Sequence, residues 1–145
     1  MSACLLGQPV RYDGQAKTRS SAILDRWRAE GRLVPFCPEL AGGLGVPRPP
    51  AELVDGKVLT AAGDDVTSAF ARGARLALEA AVASGVRIAV LKEGSPSCGS
   101  HRIYDGTFSG TSIEGQGLTA SLLLAHGIEV FSEDELEAAD AALLA

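Results

Sequence analysis

The apolar residues of this chain fall into two kinds of run, short continuous blocks and long stretches with a three-to-four spacing. The clearest block is Val86 to Lys92, where Val-Arg-Ile-Ala-Val-Leu is rich in β-branched residues and stops abruptly at Gly94, Ser95 and Pro96. That pattern predicts an inner strand of a parallel sheet. Ile128 to Phe131 predicts a second such strand. The three-to-four spacing is best developed in Val66, Ala69, Phe70, Ala74, Ala77, Leu78, Ala81 and Val82, a helix opening at Asp64 or Asp65 and ending at Gly85. Leu118 to His126 predicts a helix closed by Gly127, and His126 is expected to interact with its last carbonyls. Ser132 with Glu135 matches a capping box, opening a final helix through Leu136 and Leu143.

The N-terminal third is less regular. Ser2 to Leu6 and Arg32 to Phe36 read as short strands. Between them Ser20 or Ser21 caps a helix carrying Ile23, Leu24 and Trp27, with Gly31 in the stop position. Ala51–Val54 and Lys57–Thr60 flank Asp55-Gly56, a favoured hairpin turn, and are expected to decorate the edge of the domain. Two stretches stay irregular, Cys37 to Pro50 and Ser100 to Gly117, and the second is expected to fold over a site. The sum is about four strands interleaved with four helices. This is an α/β class chain, expected to form one three-layer, Rossmann-like domain over residues 1–145, with a mainly parallel sheet and a small edge hairpin.

Composition narrows the function more than the fold. With 145 residues, 46% hydrophobic and 21% charged, the chain is long enough for a real core and ordinary in its polarity. A net charge of -5 argues against polynucleotide as a partner, since such surfaces rely on Lys and Arg, but leaves a single nucleotide open. No membrane span is expected, and without a signal-peptide pattern the cytoplasm is the expected location. Three cysteines there predict no disulfide framework.

The placement of those cysteines says more than their number. Cys98 follows the strand from Val86, Cys37 follows Arg32 to Phe36, and Cys4 lies in the first short strand. Loops after the strands of an open α/β sheet are where ligands bind. Separations of 33 and 61 residues match no zinc-finger or ferredoxin spacing, so a shared site would have to be assembled by the fold. Glu39 would lie at the same strand end as Cys37. Gly42, Gly43 and Gly45 are expected to let backbone N–H groups approach an anion, and Arg48 to neutralise a phosphate. His101 reads as a surface-loop histidine.

Ser2-Ala3-Cys4-Leu5-Leu6-Gly7, Phe36-Cys37-Pro38-Glu39 with Gly42-Gly43 and Pro47-Arg48, Ser95-Pro96-Ser97-Cys98-Gly99, Ile103-Tyr104-Asp105-Gly106-Thr107-Phe108 and Gly117-Leu118-Thr119-Ala120 occur in that order. Together they resemble the thiouracil desulfidases, from Ser2 to Glu133. The resemblance implies a [4Fe-4S] cluster bound by Cys4, Cys37 and Cys98, with one iron left open. It implies that a thiolated pyrimidine, 4-thiouridine 5'-monophosphate or 2-thiouracil, exchanges C=S for C=O without net redox change, the sulfur leaving as hydrosulfide on the open iron. It also implies catalytic roles for Glu39 as base and Ser95 as a group addressing the ring. Ser97, Gly42, Gly43 and Arg48 are expected to bind substrate.

Other readings compete. Three cysteines with His101 or water suit a zinc-dependent hydrolase or a structural metal site. A non-catalytic nucleotide or iron-sulfur sensor is a further alternative. A thiol redox role for Cys98 lacks a nearby resolving cysteine, and no Gly-x-Gly-x-x-Gly opens a helix after a strand.

Overall fold

A computed structural model describes residues 1–145. Its helices are α1 (Ala22–Ala29), α2 (Pro38–Ala41), α3 (Thr67–Ala83), α4 (Leu118–Ala125) and α5 (Leu136–Leu144). Its strands are β1 (Ala51–Val54), β2 (Lys57–Thr60), β3 (Ile88–Leu91), β4 (Arg102–Tyr104), β5 (Ser112–Glu114) and β6 (Glu129–Ser132).

The central pairing is β3 with β6, parallel and in register from Ile88 opposite Glu129 to Leu91 opposite Ser132. The side chains of β3 alternate. Val90 packs in a cluster with Leu24 and Trp27 of α1 and Leu136 and Ala139 of α5, while Ala89 and Leu91 pack with Ala81 of α3 and Ala120 and Leu123 of α4. Helices therefore cover both faces of the pair. The buried face of α3 is Phe70, Gly73, Ala74, Ala77 and Ala81, the predicted helical stripe with one glycine added. The Ser21 hydroxyl accepts the N–H of Ile23 at 3.1 Å, capping α1 as expected.

The parallel sheet is smaller than the sequence predicts. Ser2 to Leu6 forms no strand. Ser2 alone bridges Phe36 in parallel, its N–H donates to Val90 O at 3.0 Å, and the chain then coils into a single 3-10 turn, Ala3–Leu6. Local bonds replace the ladder: Leu5 N–H donates to Ser2 O at 3.1 Å and Gly7 N–H to Cys4 O at 3.4 Å, and the run of buried Ala3, Cys4 and Leu5 does not by itself distinguish such a turn from a strand covered on both faces like β3. Arg32 to Phe36 likewise contributes one bridge, through Phe36, because Pro35 has no N–H to give and Val34 is exposed.

The stretch from Ser100 to Gly117, expected to be irregular, contains the antiparallel pair β4/β5, with Ile103 opposite Ile113. The β1/β2 hairpin has the predicted boundaries and a two-residue turn at Asp55 and Gly56, both at positive φ. It is more than an edge decoration, since Ala51, Glu52 and Thr60 face a cavity. No helix is long and apolar enough to cross a membrane.

Candidate functional site

One cavity of about 430 Å³ receives all three cysteines. Cys4 comes from the 3-10 turn, Cys37 from the residue that precedes α2, and Cys98 from the turn after β3. Cys4 and Cys98 are buried, and the Cys37 thiol points toward Val10 O at 3.9 Å. Burial, with the neighbouring Cys37 charge, pushes the Cys4 thiol above its ordinary value against the pull of Lys92 and Arg11. Burial pushes Cys98 up to about 12; the Ser2 and Ser97 hydroxyls oppose the rise, and Glu39 and Cys4 add to it.

Glu39 and Ser95 line the same cavity. Glu39 is placed by α2, a one-turn helix opened by Pro38 in the position where proline's missing N–H costs nothing. Its Oε2 accepts from Arg48 Nη2 at 2.8 Å. Ser95 stands at the start of the turn that carries Cys98, and its Oγ accepts the N–H groups of Ser97 at 3.0 Å and Cys98 at 3.1 Å. Both lone pairs are then engaged, and the hydroxyl hydrogen is left to donate elsewhere.

The residues expected to bind substrate are placed differently. Ser97 is fully buried, with its hydroxyl 2.8 Å from Thr119 Oγ1 of α4, and does not line the cavity. Gly42 and Gly43 do not line it either. Their N–H groups donate to Pro38 O and Leu40 O within the α2 turn, so neither is available to an anion. Gly42 serves packing: a Cβ there would sit 2.1 Å from Ala69 O of α3. Arg48 lines the cavity, but its guanidinium is turned inward, donating to Glu39, to Val10 O at 3.0 Å and to Gly45 O at 3.1 Å, and only 6% of its side chain is exposed. Its Nε is buried without a partner. His101 is exposed and pairs with Glu135 at 2.6 Å, away from the cavity.

Sequence reasoning passed over several cavity residues. Lys92 binds Glu133 at 3.1 Å, and Glu93 accepts N–H bonds from Ser100, His101 and Arg102 at 2.9 to 3.1 Å, tying the loop around Cys98. Burial works to raise the Glu93 carboxyl, but those N–H groups and the Ser100 hydroxyl outweigh it and hold Glu93 below the ordinary range. Their signal was present, a charged pair directly after the β3 block, where α/β sheets place ligands. Glu52, Tyr104 and Phe108 also line the cavity. The signal for Glu52 was a lone carboxylate in an otherwise apolar hairpin strand.

Three thiols converging from three elements on one cavity are a soft donor set suited to iron-sulfur ligation. Coordination would have to deprotonate the Cys4 and Cys98 thiols against the burial that raises them, so the support for ligation is the placement of the three thiols on one cavity. No three His, Cys, Asp or Glu side chains converge on one point as ligands of a single ion would, and thiolates on different irons of a cluster need not do so.

Residues 1–135 match the family model described as 2-thiouracil desulfurase. The chain is 43% identical over 148 aligned positions to the uncharacterized protein YbbK of Bacillus subtilis (strain 168), covering 94% of this chain and 95% of that protein. It is also similar to the solved structure of the [4Fe-4S]-dependent thiouracil desulfidase TudS, with a TM-score of 0.96 and 60% identity over 98% of this chain and 94% of that one.

Proposed function

This chain belongs to the 2-thiouracil desulfurase family, and from that premise we propose that it is a [4Fe-4S]-dependent desulfidase that replaces C=S by C=O in a thiolated pyrimidine. The observation that carries the reading is the convergence of Cys4, Cys37 and Cys98 on one cavity that Glu39 and Ser95 also line. Cys4, Cys37 and Cys98 would hold the cluster. When bound through three thiolates, such a cluster supplies one iron without a protein ligand, a Lewis acid with affinity for a soft thiocarbonyl sulfur.

The protein's own groups do the rest. The overall exchange consumes one water and releases hydrogen sulfide, so a proton must be taken from the water and no net electrons move. Glu39 is the base, and Arg48 holds one carboxylate oxygen at 2.8 Å while the other remains for water. Ser95 donates its free hydroxyl hydrogen to a ring acceptor as charge develops there. Ser97 acts at one remove, fixing the Cys98 turn against α4 through Thr119. Arg48 is a holder of Glu39 in this reading rather than a phosphate receptor. Arg11 also lines the cavity, its pairing with Asp13 is long at 3.5 Å, and it is the cation assigned here to the phosphate of 4-thiouridine 5'-monophosphate, with free 2-thiouracil as the smaller substrate. The enzyme acts on a small molecule, and we read residues 1–145 as one three-layer, Rossmann-like catalytic unit. The helices on both faces of β3 and the alignment of Ser2 and Phe36 beside it support that reading.

The test is anaerobic turnover of 4-thiouridine 5'-monophosphate by cluster-loaded protein, with iron and sulfide counted on the same sample. Changing Cys4, Cys37 or Cys98 to Ala is expected to abolish both iron and turnover. Glu39→Ala and Ser95→Ala are expected to keep the iron and lose about 100-fold or more in kcat. An intact four-iron protein that leaves both 4-thiouridine 5'-monophosphate and 2-thiouracil unchanged would overturn the desulfidase reading.

A further inference from the structure

The segment Asp105 to Thr111, the tip of the β4/β5 hairpin, is held across the cavity by one buried carboxylate. Glu52 of β1 is 9% exposed, and its Oε1 accepts the N–H groups of Gly106 at 3.0 Å and Phe108 at 3.2 Å. Gly106 makes the approach possible: at φ +91 it lies against β1, where a Cβ would come within 2.7 Å of Leu53 O. The tip is also stiff in itself. Asp105 Oδ1 accepts from the N–H and hydroxyl of Thr107, and Asp105 N–H donates to Thr111 O at 2.9 Å.

The outcome of this bracing is an unusual residue. Phe108 sits at φ +57, in the left-handed region that a bulky side chain seldom adopts, and it lines the cavity. Strained conformations persist where the surroundings over-determine them, and they cluster at ligand sites. Phe108 is half-buried and belongs to neither of the two buried clusters around β3.

We propose that Phe108 is the wall of the cavity that selects for a planar aromatic ring, and that Glu52 is the positioning residue that sets it there. The inference rests on the pyrimidine reading above and extends it: the chemistry at the thiocarbonyl concerns one bond, and a flat aromatic wall makes the protein demand that this bond belong to a ring. An acyclic thioamide or thiourea offers the same C=S and no π-face to stack. Glu52 Oε1 carries both N–H bonds, so a glutamine, which keeps an oxygen acceptor, is able to replace it, and an alanine is not.

The experiment measures binding of uridine 5'-monophosphate, a ring without sulfur, to cluster-loaded protein by anaerobic calorimetry. Stacking on an aromatic side chain predicts about tenfold or greater weakening in Phe108→Leu, which keeps apolar volume but loses the ring, with Phe108→Trp within about threefold of wild type. Glu52→Ala is expected to weaken binding similarly and to speed amide exchange at Gly106 and Phe108, with Glu52→Gln restoring both. Phe108→Leu binding as tightly as wild type would overturn the wall, and Glu52→Ala with unchanged exchange and affinity would overturn the positioning role. Turnover is read separately. Loss of ring binding in Phe108→Leu on a wild-type protein that binds but does not desulfurise supports the wall and sinks the reaction, whereas normal turnover with no effect of Phe108→Leu sinks the wall alone.

Discussion

Arg48 shows how much one buried side chain decides. An arginine after a glycine-rich loop reads from sequence as an anion receptor, yet here its fork is spent inside on Glu39, Val10 O and Gly45 O. With 6% of its side chain exposed against 21% for Glu39, the pair lies mostly out of water, where each charge depends on the other. Arg48→Ala leaves a largely buried carboxylate without its partner and Val10 O with only the long Cys37 thiol contact, so a loss of about 2–3 kcal/mol of stability is expected. Glu39→Ala removes the same contact from the other side. If the two act as one unit, the double variant costs less than the sum of the singles by about 1 kcal/mol or more, measured by urea unfolding of all four proteins. Additive costs would mean that the contact does not couple them and would remove Arg48 as the holder of the base. Lysine at position 48 restores the charge but not the fork, so it should recover only part of the loss.

At the scale of elements, the placement of Cys37 and Glu39 depends on how closely α2 approaches α3. The two backbones meet at glycines, with a Cβ on Gly73 falling 1.9 Å from Pro38 O and one on Gly42 falling 2.1 Å from Ala69 O. Gly73→Ala raises intrinsic helix propensity by about 1 kcal/mol. The clash is with backbone, which has no rotamer to yield, so the expected net effect is destabilisation by about 2 kcal/mol or more and displacement of α2. Iron per chain should fall together with the unfolding midpoint; a stabilised Gly73→Ala with full iron would show that α2 is not seated this way. This crossing was only half legible in the sequence. Gly42 looked like part of an anion loop, and Gly73 was hidden by the strength of the helical stripe around it, although a glycine inside a helix is itself a sign that something comes close. The β1/β2 hairpin, α3, α4 and β6 were legible, because a turn dipeptide or a sustained period fixed each locally. Ser2 to Leu6 and Arg32 to Phe36 misled, since an apolar run of four or five residues does not say whether it alternates. The β4/β5 pair escaped because three-residue strands carry too little period to see.

For the whole molecule, the cavity lies where segments distant in sequence are pinned together, and the pins are mostly charged groups at the ends of β3 and β6. Glu133, just past β6, binds Lys92 and accepts Glu93 N–H at 2.8 Å, and Glu135 reaches both Ser132 N–H at 2.9 Å and His101 at 2.6 Å. Cys98 was legible as a thiol just after an apolar block, Cys37 followed a run that forms only one bridge and Cys4 lay inside its run, so their meeting was an expectation that the fold had to supply. This second ring of contacts was not legible at all, because ion pairs between loops leave no periodic trace. The His101–Glu135 link gives it a pH signature. The Glu135 hydrogen bond raises the His101 pKa above its ordinary 6.5, with the Glu135 and Glu93 charges adding to it and burial opposing. A raised folded-state pKa means that the folded protein binds the proton more tightly, so this stabilisation is complete below about pH 6.5 and is lost as pH rises through the raised value. Burial opposes the shift of Glu135, but the Ser132 N–H and His101 lower its pKa below the ordinary 4.5, so its share is present above that value and disappears as pH falls through the lowered one. The pair therefore works best in mildly acidic solution. Because His101 is 57% exposed, the contribution is that of a surface pair, at most about 1 kcal/mol. Comparing wild type with His101→Gln by urea unfolding at pH 6 and pH 8 cancels the titration of shared groups, and the wild-type advantage is expected at pH 6 and should shrink at pH 8. An advantage that is equal at both, or larger at pH 8, would mean that the imidazole is not held as a cation against Glu135.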